Sequence, residues 1–321
     1  MAENILEIKD LVVEYHTDDA VIHAVNGVNL TVKEGETLGL VGETGAGKTT
    51  IARAILRILQ TPPAKFCGGT IEFKGQNLME LSESEMRKIR GNKIAMIFQD
   101  PMTALNPIEK VGFQIAEAIK LHNKVSQADA VRRACDMLET VGIQAERYEE
   151  YPHQFSGGMK QRVIIAMALA CNPELILADE PTTALDVTIQ AQVLEMIQGL
   201  IETLNTSVVL ITHDLGVVAN ICNTVAVVYA GEIVEYGTVE HIFDYQAHPY
   251  TIGLFNSLPK LDTKEPRLKP IKGLMPDPTN LPKGCKFNER CPDAKNACFS
   301  ETPPFGEITP GHFVKCHSKE G

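Results

Sequence analysis

No stretch of this 321-residue sequence is apolar for long enough to cross a bilayer. The longest runs, such as VIIAMALA (163–170), fall far short of the ~20 residues that a spanning helix needs. The opening, MAENILEIKD, has neither the basic segment nor the apolar segment of a signal peptide. Positive charge is in deficit. The net charge of −11 argues against a broad basic surface for nucleic acid or anionic lipid, though not against a local basic groove. No repeat of 20–50 residues and no heptad run is visible. What remains is the expectation of a cytosolic globular chain. Its 44% hydrophobic and 22% charged residues are ordinary for one, and its length suits a large domain with a small one beside it.

What is present is a repeated arrangement. Apolar runs of strand length end at polar residues: TLGLV (37–41) at a glycine-rich loop, IAMIF (94–98) at Gln99, LILAD (175–179) at Asp179-Glu180, and VVLIT (208–212) at His213. Unbroken runs point to strands buried on both faces. Helical periodicity lies between them, at Val131, Ala134, Cys135, Leu138 and Val141, and again at Val193, Met196, Ile197, Leu200, Ile201 and Leu204. Alternating strand and helix predicts an α/β fold with a mainly parallel sheet and ligands at the carboxyl ends of its strands. Residues from about 101 to 170 interrupt the alternation and read as an inserted helical subdomain. VAVVYAGEIVEYG (225–237) reads as a hairpin turning at Ala230-Gly231. Ten of the eighteen prolines fall in 256–321, which reads as a loop-rich tail that needs a staple.

GETGAGKTT (42–50) carries the spacing G-x-x-x-x-G-K-[ST] between a strand and a helix. Gly42, Glu43, Thr44, Gly45, Ala46, Gly47, Lys48, Thr49 and Thr50 are therefore the candidate phosphate loop. Its glycines let backbone N–H groups turn inward on phosphate oxygens. Lys48 would reach the terminal phosphates, and the Thr49 hydroxyl would hold Mg²⁺. Asp179, at a buried strand end, would hold the same Mg²⁺. Glu180, pointing the other way in an extended backbone, would polarise a water. A second anion-binding pattern is Ser156, Gly157 and Gly158 at the start of a helix, with Ser156 as its cap. Both patterns would be used if two subunits packed head to tail, each phosphate loop facing the other's serine-glycine turn.

Eight cysteines divide in two. Cys67, Cys135, Cys171 and Cys222 read as small core residues. Cys285, Cys291, Cys298 and Cys316, spaced C-x₅-C-x₆-C-x₁₇-C, are too dense for core packing in so proline-rich a segment. Disulfides are disfavoured in a reducing cytosol, and structural zinc usually takes tighter pairs. The spacing also misses the common ferredoxin patterns, so the residues alone leave the bound metal open. Lys283, Lys286, Arg290 and Lys315 lie beside them and would offset thiolate charge.

In the order of these motifs the sequence resembles the ATP-binding cassette (ABC) ATPases over about 250 residues, with Phe155-Ser156-Gly157-Gly158-Met159 where that family carries L-S-G-G-Q. QDPMTALNP (99–107), FSGGMKQRVIIAMALA (155–170), AHPYT (247–251) and the cysteine-bearing tail are similar to the D-type ATPase subunits of bacterial dipeptide and oligopeptide importers, where Phe and Met are usual. The resemblance implies a cassette at 1–255 with a β-subdomain and a helical subdomain near 101–170, and an extension at 256–321. It implies that Gln99 senses Mg²⁺ and touches the membrane partner. It also implies that Leu185-Asp186 match the D-loop, with Asp186 among the nucleotide-binding residues, that His213 holds the γ-phosphate, and that Tyr15 stacks on adenine. It implies Glu180 as general base and ATP and Mg²⁺ as ligands. The tail cysteines would hold a [4Fe–4S] cluster, with zinc as the alternative. Expected partners are a second ABC ATPase, a related subunit ahead of an identical copy, two transmembrane permease subunits, and indirectly an extracytoplasmic peptide-binding protein, with no nucleic acid. The expected location is the cytoplasmic face of the cell membrane. Importers of nickel or glutathione, and soluble non-transport ABC ATPases, are the rival readings.

Overall fold

The computed structural model describes residues 3–182, 186–257 and 270–318. The chain divides into two compact units. One is built mainly from Glu80–Thr212, with Val32–Thr37. The other comprises Leu6–Thr31, Leu38–Met79 and His213–Gly321.

In the first unit three parallel strands, Ile94–Ile97, Leu175–Asp179 and Ser207–Ile211, pair in that order. Ile97 lies opposite Ala178, and Asp179 opposite Ile211. Every residue in them is buried, which is why their sequences show continuous apolar runs rather than alternation. They start and stop within a residue of the runs that predict them. From 101 to 169 the described elements are helices: Pro101–Ala104, Val111–His122, Gln127–Thr140 and Gly157–Leu169, with two 3₁₀ turns. Close approach fixes one glycine here. A Cβ on Gly112 would sit 2.0 Å from the Tyr148 ring.

The second unit holds an antiparallel sheet in the order Val21–Lys33, Asn4–His16, Ala64–Phe73 and Gln76–Asn77. It also holds the strand Thr37–Val41, which runs parallel to Thr224–Tyr229 with Val41 opposite Val227. That strand turns at Ala230 and Gly231, both at positive φ (46° and 78°), into Glu232–Thr238. Two positive φ values in a two-residue loop match the twist of a hairpin. Asn26 secures the turn, its amide side chain donating to the Ala230 carbonyl at 2.9 Å and its own N–H to that of Gly231 at 2.8 Å.

The C-terminal extension belongs to this second unit and is more regular than its composition predicts. His312–Lys315 pairs antiparallel with Glu232–Thr238, and Phe305–Thr309 pairs outside it. The strands are only four and five residues long. Their turn signal, Pro310-Gly311, is the one cue the sequence offers. What fixes the hairpin is a buried carboxylate. Glu235 is fully buried and accepts the N–H groups of Ala247 and His248 and a bond with His312 Nε2, each at 2.8 Å. The His312 ring stacks on His241, with centroids 4.8 Å apart and planes 7° apart.

His248 is buried beside this carboxylate. Its Nδ1 accepts the Tyr250 N–H at 3.0 Å and caps the helix Pro249–Asn256. Burial pushes its imidazole down to about 3, so it is neutral when folded, whereas the unfolded chain titrates near 6.5. Between these values only the unfolded chain takes up the proton. Stability from this group is therefore complete above about 6.5 and falls by up to ~1.4 kcal/mol per pH unit on acidification. His248→Asn keeps a capping acceptor and removes the titration. Urea unfolding at a series of pH values should show the variant gaining on the wild type below about pH 6.5. A difference that stays constant down to about pH 5 would mean that His248 is not held neutral.

Candidate nucleotide site

Gly42, Gly45 and Gly47 adopt φ of 150°, 85° and 107°. A Cβ on Gly42 would lie 2.2 Å from the Val228 carbonyl oxygen, and one on Gly47 2.5 Å from that of Ala24. The loop is thus pressed against two strands at positions where only glycine fits. Gly47 is the cap of the helix Lys48–Ile55 and has no side chain to bond its first amides, which leaves that end suited to an anion. Lys48 is 6% exposed, with its ammonium donating to the carbonyls of Gly42 (2.7 Å) and Glu43 (3.0 Å), inside the loop's curve. The Ala46 carbonyl accepts the Gly231 N–H at 2.9 Å, so the hairpin turn supports the loop. Tyr15, on the strand Asn4–His16, shares a 3.2 Å hydrogen bond with the Thr50 hydroxyl. The structure therefore brings the candidate aromatic platform to the start of the phosphate-loop helix. His213, also in this unit, is exposed two residues past Ile211.

Glu43 is held from the C-terminal side of the chain. Its N–H donates to the Tyr250 hydroxyl at 2.9 Å. Its carboxylate takes both arms of the Arg290 guanidinium at 3.1 Å each. Arg290 is 7% exposed, also donates to the Tyr229 hydroxyl (3.2 Å) and the Lys272 carbonyl (3.1 Å), and lies over the Tyr229 and Phe287 rings. The expectation that Arg290 offsets thiolate charge is corrected by this geometry: its charge is committed to the phosphate loop. Lys315 likewise pairs with Glu232 at 3.0 Å, and Lys286 donates to the Pro282 carbonyl at 2.8 Å.

The other unit holds the acidic candidates. Asp179 ends its strand 1% exposed. Glu180 is not extended, as the sequence reading had it, but left-handed, with φ of 47°. Its N–H donates to the Ile211 carbonyl at 2.8 Å, and its carboxylate accepts the Gln99 amide at 2.9 Å. A non-glycine residue in this conformation costs on the order of 1 kcal/mol, and such strain clusters at functional sites. Ser156 caps the helix Gly157–Leu169, its hydroxyl accepting the Met159 N–H, and Ser156 and Gly157 are open to solvent. A Cβ on Gly158 would lie 2.5 Å from Ile189. Phe155 is buried, with Arg147 stacked 4.3 Å over its ring, and the same guanidinium donates to the Met159 sulfur at 3.2 Å. Arg147, which the sequence reading passed over, thus reads both unusual residues of the motif. Asp186 caps the helix Val187–Leu204 through the Ile189 N–H at 3.0 Å. Leu185 lies outside the described residues.

None of the eight cysteines is in a disulfide. Cys67 is exposed rather than in the core, because it lies on the outer face of the antiparallel sheet. Cys135, Cys171 and Cys222 are partly buried. In the tail, the Cys285 N–H donates to the Cys298 carbonyl at 2.9 Å, and Asn288 bridges the carbonyls of Lys283 and Cys298. Burial pushes the Cys285 thiol up to about 11, and its neighbours Cys298, Cys291 and Cys316 add to this. The backbone N–H of Phe287 opposes the rise at Cys285, and that of Asp293 does so at Cys291. Four thiols near enough to raise one another's pKa, with backbone N–H donors at two of them, form a donor set suited to a thiolate-bound metal group.

Comparison with known proteins follows the same lines. A family model described as ABC transporter matches residues 25–183, and one described as Oligopeptide/dipeptide transporter, C-terminal region, matches residues 234–298. The chain is 51% identical to a probable peptide ABC transporter ATP-binding protein, y4tR, of Sinorhizobium fredii, over 98% of this chain and 95% of that protein. It is also 51% identical to the oligopeptide transport ATP-binding protein OppD of Bacillus subtilis (97% and 88%). Identity to the dipeptide transport ATP-binding protein DppD of Lactococcus lactis is again 51% (98% and 90%). The fold matches the dimeric structure of the ATP-binding cassette MJ0796 in a post-hydrolysis state bound to ADP and Pi. That match has a TM-score of 0.66 and 29% identity over 73% of this chain and 98% of that one.

Arg290→Ala leaves the Glu43 carboxylate uncompensated within the phosphate loop. Binding of a fluorescent ATP analogue should weaken about tenfold, and Arg290→Lys should restore little because an ammonium cannot replace both guanidinium bonds. Adding Glu43→Gln to Arg290→Ala should recover most of the loss, a coupling that a double-mutant cycle reads directly. Unchanged affinity in Arg290→Ala would show that the pair does not act on the loop.

Proposed function

Since this chain belongs to the family of ABC transporter ATPases, we propose that it is the ATP-hydrolysing subunit of a di- or oligopeptide importer, bound to the cytoplasmic face of two transmembrane permease subunits. The observation that carries the reading is the grip of Arg290 on Glu43. It joins the peptide-transporter C-terminal region to the phosphate loop of the cassette, so that both matched regions build one site.

Lys48 and the loop amides bind the terminal phosphates, and Tyr15 stacks on adenine. Thr49 offers a hydroxyl, and in the other unit Asp179 and Gln99 offer a carboxylate and an amide oxygen; each is a hard donor of the kind Mg²⁺ takes, and the ion when bound would offset charge developing on the phosphates. Glu180 accepts the proton of the attacking water, and Gln99, bonded to its carboxylate, orients it. His213 donates to the γ-phosphate. The exposed Ser156 and Gly157 face the phosphates of a second ABC ATPase, so closure needs nucleotide in between. The similar cassette solved as a dimer with ADP and Pi supports this arrangement. Opening and closing then pass to the permeases through the segment after Gln99.

The four tail cysteines hold a [4Fe–4S] cluster in this reading. Their sulfurs do not form a set within 4.8 Å of one another among the described residues. A mononuclear zinc site would draw them to roughly 3.8 Å apart. The metal content of the protein distinguishes the two. Its role is structural: bound, it would hold together loops too poor in apolar residues to pack alone.

Two experiments test the reading. In vesicles containing the permeases, Glu180→Gln should bind ATP yet lose peptide uptake and hydrolysis by about 10²–10⁴-fold, since an amide is a poor proton acceptor. Wild-type turnover would place the base elsewhere. Protein purified without oxygen should contain iron and sulfide in equal amounts, lost when Cys285 and Cys291 are changed to Ser. A stoichiometric zinc content in their place would refute the cluster.

A further inference from the structure

A second candidate metal site lies in the antiparallel sheet, away from the tail. Glu14 and His16 sit two apart on the strand Asn4–His16 and so share one face. Cys67 comes from the adjacent strand Ala64–Phe73, where the register slips: Val13 opposes Phe66 and Val12 opposes Gly68, leaving Cys67 unpaired. This bulge delivers the thiol to the Glu14 side of the sheet. The ligand atoms of Glu14, His16 and Cys67 all lie within 4.8 Å of one another, and no other three His, Cys, Asp or Glu side chains among the described residues come so close. His16 Nε2 is 2.7 Å and Cys67 Sγ 3.3 Å from the same Glu14 oxygen. The other Glu14 oxygen lies 3.1 Å from Nδ1 of His23, on the neighbouring strand Val21–Lys33.

We propose that Glu14, His16 and Cys67 bind a divalent late transition metal of the zinc type, with His23 orienting the Glu14 carboxylate or completing the ligand set. Thiolate, imidazole and carboxylate together suit a borderline-soft cation and exclude Mg²⁺ and Ca²⁺, which take oxygen alone. Zinc bonds of about 2.0–2.3 Å put neighbouring ligand atoms roughly 3.3–3.8 Å apart, so His16 and Glu14, now 2.7 Å apart, open by about 0.6 Å, the 3.3 Å between Cys67 and Glu14 already suits, and His16 and Cys67 need to close by at most about 1 Å. His16 and Cys67 are exposed and free to make that movement. On binding, the Cys67 proton now shared with Glu14 leaves to solvent and the thiolate joins the cation. Three protein ligands leave a fourth position for water or for His23. A hydrogen bond from an outer group commonly orients a ligating carboxylate, and His23 is placed to give one. The site also has a structural consequence. Tyr15 stands between two of the ligands, at the bulged strand pair, so the cation would cross-link the strands that carry the aromatic next to Thr50.

Cys67 reports on the site separately from the tail cysteines. The full-length protein is treated with iodoacetamide with and without micromolar Zn²⁺, and labelling is followed on the peptide containing Cys67 by mass spectrometry. Zn²⁺ should slow labelling of Cys67 at least about tenfold, Mg²⁺ should not, and Glu14→Gln and His16→Ala should each abolish the protection. Co²⁺ should give a thiolate charge-transfer band that disappears in Cys67→Ser, and this does not depend on alkylation chemistry. Labelling unaffected by Zn²⁺, protection that survives both substitutions, or protection appearing only at millimolar Zn²⁺, the mark of an adventitious ion only, would each overturn the proposal. Matching urea midpoints for the variants and the wild type exclude misfolding as the cause of lost protection.

Discussion

The bidentate pair between Arg290 and Glu43 is the constraint around which the nucleotide-binding unit is arranged. The phosphate loop is pinned, because a Cβ on Gly42 or Gly47 would clash with carbonyl oxygens of the strands behind it. It also has to present no net negative charge to phosphate. Glu43 threatens the second condition, since it places a carboxylate inside the loop. The guanidinium offsets that charge, and its 7% exposure limits screening by solvent. Tyr229 and Phe287 fix the guanidinium plane, and Tyr250 takes the Glu43 N–H. A residue contributed 247 positions away in sequence is thus part of the loop's electrostatics.

That arrangement depends in turn on the tail being held to the sheet. Arg290 directly precedes Cys291, and Phe287 lies between Cys285 and Cys291, packed with Tyr229 and Tyr250 in one apolar cluster. On the far side, His312 anchors the last hairpin to Glu235. The buried Glu235 carboxylate is tolerable because three donors reach it, from two different segments. Loss of the tail would therefore remove one of the three partners of the buried Glu235 carboxylate and uncover Tyr229 and Tyr250, besides freeing Glu43. A cysteine-bound group that orders residues 285–316 would act on the phosphate loop through packing, with no need for electron transfer.

Most of the candidate site was legible because its motifs are local. The phosphate loop needs a strand, three glycines and a helix start within a dozen residues. The strands Thr37–Val41, Leu175–Asp179 and Ser207–Ile211 announce themselves as unbroken apolar runs. What was not legible depends on long-range pairing or on a single dihedral angle. Arg290 beside two cysteines reads as a counter-charge for thiolates, and nothing in the local pattern directs it to Glu43. Glu180 reads as extended because it continues a strand, yet its N–H must reach Ile211, and that turns it left-handed. Cys67 reads as core because exposed cysteines are uncommon, and only the slip in register puts it outside.

Arg147 shows the same division at the second anion-binding motif. The motif's serine and glycines form a local unit: Ser156 caps its own helix, and Gly157 is open to solvent. The flanking Phe155 and Met159 do not face that opening. They pack under Arg147, which Glu150 also holds through two hydrogen bonds. The guanidinium stacks on one side chain and donates to the soft sulfur of the other; a leucine at 155 would lose the stacking, whereas a glutamine at 159 would offer an amide oxygen in place of the sulfur. The replacements thus form a matched set with Arg147. They hold the turn from behind and leave Ser156 and Gly157 open to solvent.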